Sequence, residues 1–191
     1  MTEDLGDQLR RLHEELADRM RTDWQRDLPF GELISDRWKR ANALGFGPGA
    51  SIYDSSYVYG DVRVGPNTWI GPFTLLDGSG GLTIGAYCSI SAGVHIYTHD
   101  TVAWAVSGGQ IPAQRSPVTI GDNTYIGSQV VISRGVTIGD HCVIGAGSFV
   151  NRSIPPYCVA VGSPCRVIGS VDIGASGEVT LRYESPPEVA T

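Results

Sequence analysis

No stretch of this 191-residue chain is apolar for long enough to cross a membrane, and its start lacks the basic and apolar regions of a secretory leader. Met1-Thr2-Glu3-Asp4 is acidic instead. Neither a transmembrane segment nor a signal peptide is expected, and a cytoplasmic protein is the default. Positive charge is also scarce: 14 Lys and Arg stand against 20 Asp and Glu, for a net charge of −6 and a sequence pI of about 5.1. Phosphate binding calls for clustered cations, so a nucleic-acid surface is not expected. Cysteine is limited to four residues. Cys158 and Cys165 show no C-x-x-C spacing, so neither a zinc cage nor a disulfide framework is indicated. At 191 residues the chain can bury a core but not two large domains, so one main domain with appendages is expected.

What the chain has is glycine, 25 residues of it, and a ruler of six. Aliphatic residues fall at Ile84, Ile90 and Ile96, then in the same frame at Ile120, Ile126, Ile132, Ile138, Ile144 and Val150. Four residues after each mark comes a small or apolar side chain: Cys88, Val94, Thr124, Val130, Val136, Cys142, Ser148 and Ile154, with Asp100 breaking the row after Ile96. A period of six fits neither a helix, which repeats every 3.6 residues, nor a simple strand, which repeats every second one. It fits a coil of short strands joined by corners, three hexads to a triangular turn. Gly85, Gly121, Gly127, Gly139 and Gly145 each follow a mark directly, where a corner residue must tolerate unusual φ and ψ. Cys88 and Cys142 then read as small inward hydrophobes.

An earlier stretch of the ruler, Ile52, Val58, Val64, Ile70 and Leu76, runs in another frame, because Leu76 and Ile84 are eight residues apart. Two extra residues therefore sit in Asp77-Gly78-Ser79-Gly80-Gly81, read as a bulge, with Leu82 returning inward. The run lacks the Lys-Ser/Thr and helix of a phosphate loop, leaving only Asp77 as a candidate site residue. The ruler is broken once, from about Thr101 to Ala113, by a loop carrying Val102, Trp104, Val106 and Ile111. A loop of this length in a repetitive fold is usually functional, and its apolar side chains are expected to cover an adjacent subunit or a ligand. Upstream, Leu5, Leu9, Leu12, Leu16 and Met20 predict an amphipathic helix over about 3–26, and a second helix is predicted over about Glu32–Leu44. These helices are expected to lie against the first coil or a neighbouring subunit. The division is a helical segment 1–48, a coil domain 49–168 with the loop at about 101–113, and a tail 169–191 whose Glu178–Tyr183 adds one strand.

The runs Val94-His95-Ile96-Tyr97-Thr98-His99, Val118-Thr119-Ile120-Gly121-Asp122-Asn123, Tyr125-Ile126-Gly127-Ser128, Val143-Ile144-Gly145-Ala146-Gly147-Ser148 and Val159-Ala160-Val161-Gly162-Ser163-Pro164-Cys165-Arg166 resemble the hexapeptide-repeat acyltransferases. The galactoside and maltose O-acetyltransferases and sugar O-acetyltransferases of polysaccharide clusters are the nearest in pattern. The resemblance covers about Ile52–Ile168. It implies an all-β fold, a left-handed parallel β-helix, which is a known exception to right-handed crossovers, with N-terminal helices and one extruded loop. It also implies a homotrimer with sites between subunits, acetyl-CoA as donor, and no metal.

In that family a histidine before the loop takes the acceptor's proton, and His99 is the match. Here Asp100 follows it, where the family commonly has proline. A sugar hydroxyl is a poor nucleophile at neutral pH, and an imidazole titrating near about 6.5 suits the task. His95 and His141 fall at outward hexad positions and His13 in the first helix, so these read as surface residues. For the donor the resemblance implies Ser128 and Ala146, one coil apart, for the pantetheine arm, Tyr125 beside the thioester, Asn151 and Arg152 after the last hexads, and Arg166 at the coenzyme phosphates. It implies Asp77 as a sugar-binding carboxylate, and Trp104 in the loop is a further acceptor-side candidate. The N-terminal helices do not follow the sugar acetyltransferases' pattern, so the acceptor is not carried over. Alternatives are an amino-sugar N-acetyltransferase, a zinc carbonic anhydrase of this coil type, whose histidine spacing His95, His99 and His141 do not show, and a non-catalytic scaffold.

Overall fold

The computed structural model describes residues 4–183; Met1-Thr2-Glu3 and positions 184–191 of the expected tail lie outside them. The ruler becomes a left-handed parallel β-helix of about six coils. Each hexad resolves into three extended residues and a three-residue corner. In Thr124-Tyr125-Ile126 the two-residue alternation of a strand sends the outer members inward, at 1% and 0% exposure, and Tyr125 outward at 44%. Gly127-Ser128-Gln129 then turns the chain, and Val130 points inward again.

Three flat sides result. The first stacks Ser51–Ile52, Trp69–Ile70, Ser89–Ile90, Tyr125–Ile126, Val143–Ile144 and Cys158–Val161. The second stacks the beginnings of Tyr57–Val64 and Leu75–Ile84 with His95–Ile96, Val131–Ile132 and Phe149–Val150. The third takes the ends of those two long strands with Val118–Ile120 and Thr137–Ile138. Backbone bonds run from coil to coil, as from Tyr125 N to Cys142 O and from Gly127 N to Ile144 O, both 2.8 Å. Every mark from Ile84 to Val150 is 1% exposed or less, and each such isoleucine contributes about 1.5–3 kcal/mol relative to an exposed one. Inward hydroxyls bond to corner carbonyls: Thr68 to Gly85 O at 2.7 Å, Thr124 to Gly139 O at 3.0 Å and Ser148 to Gly145 O at 2.6 Å.

The role expected of the corner glycines is corrected. None of Gly85, Gly121, Gly127, Gly139 and Gly145 has a positive φ; the left-handed residue comes two positions later, at Tyr87, Asn123, Gln129, His141 and Gly147. Glycine is required for space instead. A Cβ on Gly127 would lie 2.6 Å from Ala146 N, and one on Gly139 2.5 Å from Pro156 N. Coils stacked about 4.7–4.9 Å apart leave no gap for it. The aspartates that follow tie the same corners together, with Asp122 Oδ1 accepting from Ala86 N at 2.7 Å and Asp140 Oδ1 from Asp122 N at 2.8 Å.

Three further boundaries differ from expectation. The second helix is two, α2 at Phe30–Ile34 and α3 at Arg37–Ala43, after α1 at Leu5–Trp24. Ser35 and Asp36 are extended, and the Asp36 side chain caps α3 by accepting from Trp38 N and Lys39 N at 3.0 Å. The two short helices lie on the first coil: α3 packs on Ser51–Ile52, and the Glu32 carboxylate accepts from Asp54 N and Ser55 N. By contrast α1 packs mainly on α2 and leaves Leu5, Leu9 and Leu12 exposed. The boundary at 168/169 falls inside a strand, because Arg166–Ile173 runs antiparallel to Cys158–Val161. The added strand is Val179–Tyr183, antiparallel in turn.

The bulge is where it was expected. Val58 and Val62 pair with Leu76 and Leu82, so the strand Leu75–Ile84 carries two more residues than its neighbour. Its glycines permit close approach: a Cβ on Gly80 would lie 2.5 Å from Thr98 O. The loop leaves the next coil at this same corner through a short antiparallel ladder of His99–Asp100 with Gln114–Arg115, and it contains a helix α4, Val102–Val106.

Candidate active site

Stacking the bulge against the loop neck brings Asp77 to His99, although 22 residues separate them. The Asp77 side chain is 2% exposed, the His99 side chain 38%, and their Oδ2 and Nδ1 atoms are 2.6 Å apart. Asp77 Oδ2 also accepts from Thr98 N at 2.9 Å, and its Oδ1 from Ser79 N at 3.0 Å and Ser79 Oγ at 2.5 Å. Burial pushes this carboxyl up, but the bonds from Ser79, His99 and Thr98 outweigh it and hold Asp77 well below the usual carboxylate range. An ionised carboxylate only accepts, so Nδ1 carries the ring hydrogen and Nε2 keeps its lone pair. The result is an oriented imidazole whose second nitrogen has no hydrogen-bond partner among the described residues.

Both Asp77 oxygens are engaged and its side chain is covered, which sets it behind the His99 ring rather than at the surface of the chain. Sequence reasoning had not singled out Ser79 or Thr98; the clue was the match of the Leu76 and Ile96 marks, which puts 77 one coil from 97–99. Asp100 turns the other way. It accepts from Val102 N at 3.1 Å and pairs with Arg134 of the next coil, which also reaches Gln114.

Because Asp77 has a depressed pKa, its contribution to stability is present above the unfolded carboxyl value, about 3.9, and is lost as pH falls below it. Asp77→Asn is expected to cost about 1–3 kcal/mol at pH 7 by leaving a buried donor unpaired. The gap in melting temperature between wild type and variant should begin to narrow as pH drops below about 4, the unfolded carboxyl value, and go on narrowing to the acid end of the accessible range. A gap that stays constant in thermal melts across that range would separate Asp77 from acid stability.

The other expected residues fall on two edges. Tyr125 stands on the first flat side, and Ser128 and Ala146 are exposed at the corner after it, where Gly147 N donates to Ser128 O at 2.8 Å. Asn151 and Arg152 are exposed at the corner after the second side, on the same edge as His99. Within one chain the second flat side separates the Ser128–Ala146 edge from the His99 edge. Arg166 is exposed, with Nη1 on Cys165 O at 2.8 Å, and Trp104 lies on α4 at 53% exposure. His95 meets the Tyr97 hydroxyl at 3.3 Å, and His141 stacks on Tyr157 at another corner. No group of three or more His, Cys, Asp or Glu placed to hold a metal occurs among the described residues, and no helix there is long and apolar enough to cross a membrane.

The family model described as bacterial transferase hexapeptide (six repeats) matches residues 117–152. Galactoside O-acetyltransferase of Escherichia coli (strain K12) is 50% identical over 56 residues, 29% of this chain and 28% of that protein. The chain thus matches well under two thirds of that relative's length. The hexapeptide-repeat acetyltransferase VCA0836 of Vibrio cholerae O1 biovar eltor, solved with acetyl coenzyme A, superposes with a TM-score of 0.55 at 26% identity, covering 89% of this chain and 92% of that one. AntD, an N-acyltransferase from Bacillus cereus solved with dTDP and 3-hydroxybutyryl-CoA, gives 0.56 at 23% identity over 69% and 87%. Repeat, coil and sequence kinship together make this chain a hexapeptide-repeat protein built on the left-handed β-helix found in acetyltransferases.

Proposed function

We propose that the protein moves an acetyl group from acetyl-CoA to a hydroxyl of a sugar or other small hydroxylated acceptor. The observation that carries this is the buried Asp77 carboxylate on His99 Nδ1, which leaves Nε2 as a base at the surface. The acceptor oxygen attacks the thioester carbonyl carbon as Nε2 takes the hydroxyl proton. The carbonyl electron pair moves onto oxygen, then returns to re-form C=O and expel the thiolate, which recovers the proton from Nε2. Asp77 remains ionised and stabilises the imidazolium in between, as the carboxylate of a serine-hydrolase triad does.

The donor is supported by the acetyl-CoA held in the V. cholerae structure, and the hydroxyl acceptor by the activity named for the E. coli relative. The donor lies along Ser128 and Ala146 with Tyr125 near the thioester, Asn151 and Arg152 along the edge and Arg166 at the phosphates; Trp104 borders the acceptor. Since one flat side separates Ser128 from His99, the full site forms between chains of a homotrimer. The outward row Tyr57, Leu75, His95, Val131 and Phe149 on that side, in register and accessible, supports such packing.

An amine acceptor is the second reading, favoured by the fold shared with AntD. Hydroxyl and amino sugars matched in every other position decide between them, with CoA release and product mass as readouts. Acetylation of the hydroxyl members is expected. Acetylation of the amines alone would transfer the protein to the second reading, and no transfer to either, with CoA still bound, would remove the enzymatic one. On the donor side, Arg166→Ala is expected to raise the KM for acetyl-CoA with a loss of about 1.5–3 kcal/mol, the value of a charge-assisted bond. Unchanged donor affinity would leave Arg166 with its Cys165 carbonyl contact alone.

A further inference from the structure

The neck of the extruded loop has two faces. His99 pairs with Arg115 and Asp100 with Gln114. Cross-strand partners share a face while successive residues alternate. One face, Asp100 and Gln114, is held by the Arg134 guanidinium, whose side chain is 30% exposed. The other face carries His99 and Arg115. Ser116 N donates to Thr98 O at 2.9 Å, so the adjacent pair of His99 and Arg115 is the non-hydrogen-bonded one. In such a pair the Cα atoms stand about 4.5 Å apart and the side chains begin closest together.

The local carboxylates are already committed. Asp77 is buried under bonds from His99, Thr98 and Ser79, and Asp100 faces Arg134. Arg115 is exposed, and among the described residues its guanidinium forms no ion pair. In a chain of net charge −6, an uncompensated fork of donors thus projects from the face that presents the base. A planar guanidinium matches carboxylate and phosphate oxygens in pairs.

Building on the acetyl-transfer reading, we propose that Arg115 anchors an anionic group of the acceptor, so that the substrates are sugars bearing a carboxylate or a phosphate a few atoms from the acetylated hydroxyl. The test compares methyl glucoside, methyl glucuronide and glucose 6-phosphate on the full-length protein, by calorimetric binding and by CoA release from acetyl-CoA. Wild type should bind at least one anionic sugar about 10- to 100-fold more tightly than the neutral one. Arg115→Gln should abolish the preference without moving the melting temperature or CoA affinity, and Arg115→Lys should restore it in part. The phosphate and carboxylate arms identify the anion. Equal binding of all three sugars by wild type, a preference that survives in Arg115→Gln, or a loss confined to CoA affinity would each overturn the proposal. Failure of acetyl transfer itself reads differently: no CoA release with any sugar, whatever the binding preference.

Discussion

His99→Ala is expected to lower kcat by roughly 10²–10⁴ while CoA affinity and melting temperature stay near wild type. The ring is 38% exposed and lies outside the buried core, so its removal opens no cavity in the coil. What disappears is proton transfer in the transition state. His95→Ala and Asp100→Asn belong beside it: among the described residues His95 bonds to the Tyr97 hydroxyl, away from the Asp77–His99 pair, and Asp100 holds the loop through Arg134 and Val102 N. Both should keep most of the turnover. Asp77, held ionised well below the usual carboxylate range, should add no step of its own to the pH profile of kcat between neutral pH and about 4. Near wild-type turnover in His99→Ala with collapse in His95→Ala would move the base to His95.

The second large effect is on folding. Ile132 is fully buried, in register with Ile96 below and Val150 above. A carboxylate there has no partner, and its burial costs several kcal/mol against a total stability of about 5–15 kcal/mol. Ile132→Asp should therefore give no soluble, folded protein, whereas Thr137→Asp, on an exposed position one flat side later, should fold. Soluble yield and far-ultraviolet circular dichroism read the difference. A fully folded Ile132→Asp would contradict the register of the coil.

The inward rows were legible residue by residue because hexad period and core geometry are one quantity: a mark displaced by one would face solvent. The frame shift between Leu76 and Ile84 likewise announced the bulge. The corner glycines were located correctly but for the wrong reason, since a lone sequence does not distinguish a φ requirement from the nearness of Ala146 N to Gly127. The break between α2 and α3 was missed because the Asp36 cap interrupts a run that otherwise satisfies a helix.

His99 and Asp77 were each singled out from sequence, but not their contact. Asp77 reaches His99 only after the chain has completed one coil around the bulge, and the one trace of that pairing in the sequence is the match of the Leu76 and Ile96 marks. Arg115 and Arg134 depend on which strands meet at the loop neck and on the alternation of its two faces. That is information held by pairing across 14 or more residues, and periodicity is blind to it.

A ladder of identical coils contains no instruction to stop. At one end α3 lies over Ser51–Ile52; at the other, Arg166–Ile173 reverses the strand direction against Cys158–Val161. The height of the prism is therefore decided by its two irregular lids, and the repeat between them is free to change in number. Three hexads added between Val136 and Val150 would raise the stack by one storey of about 4.8 Å and leave both lids and the His99 corner as they are. Stripping a lid would do the opposite: an open parallel edge templates growth, and a finite molecule becomes the seed of a fibre.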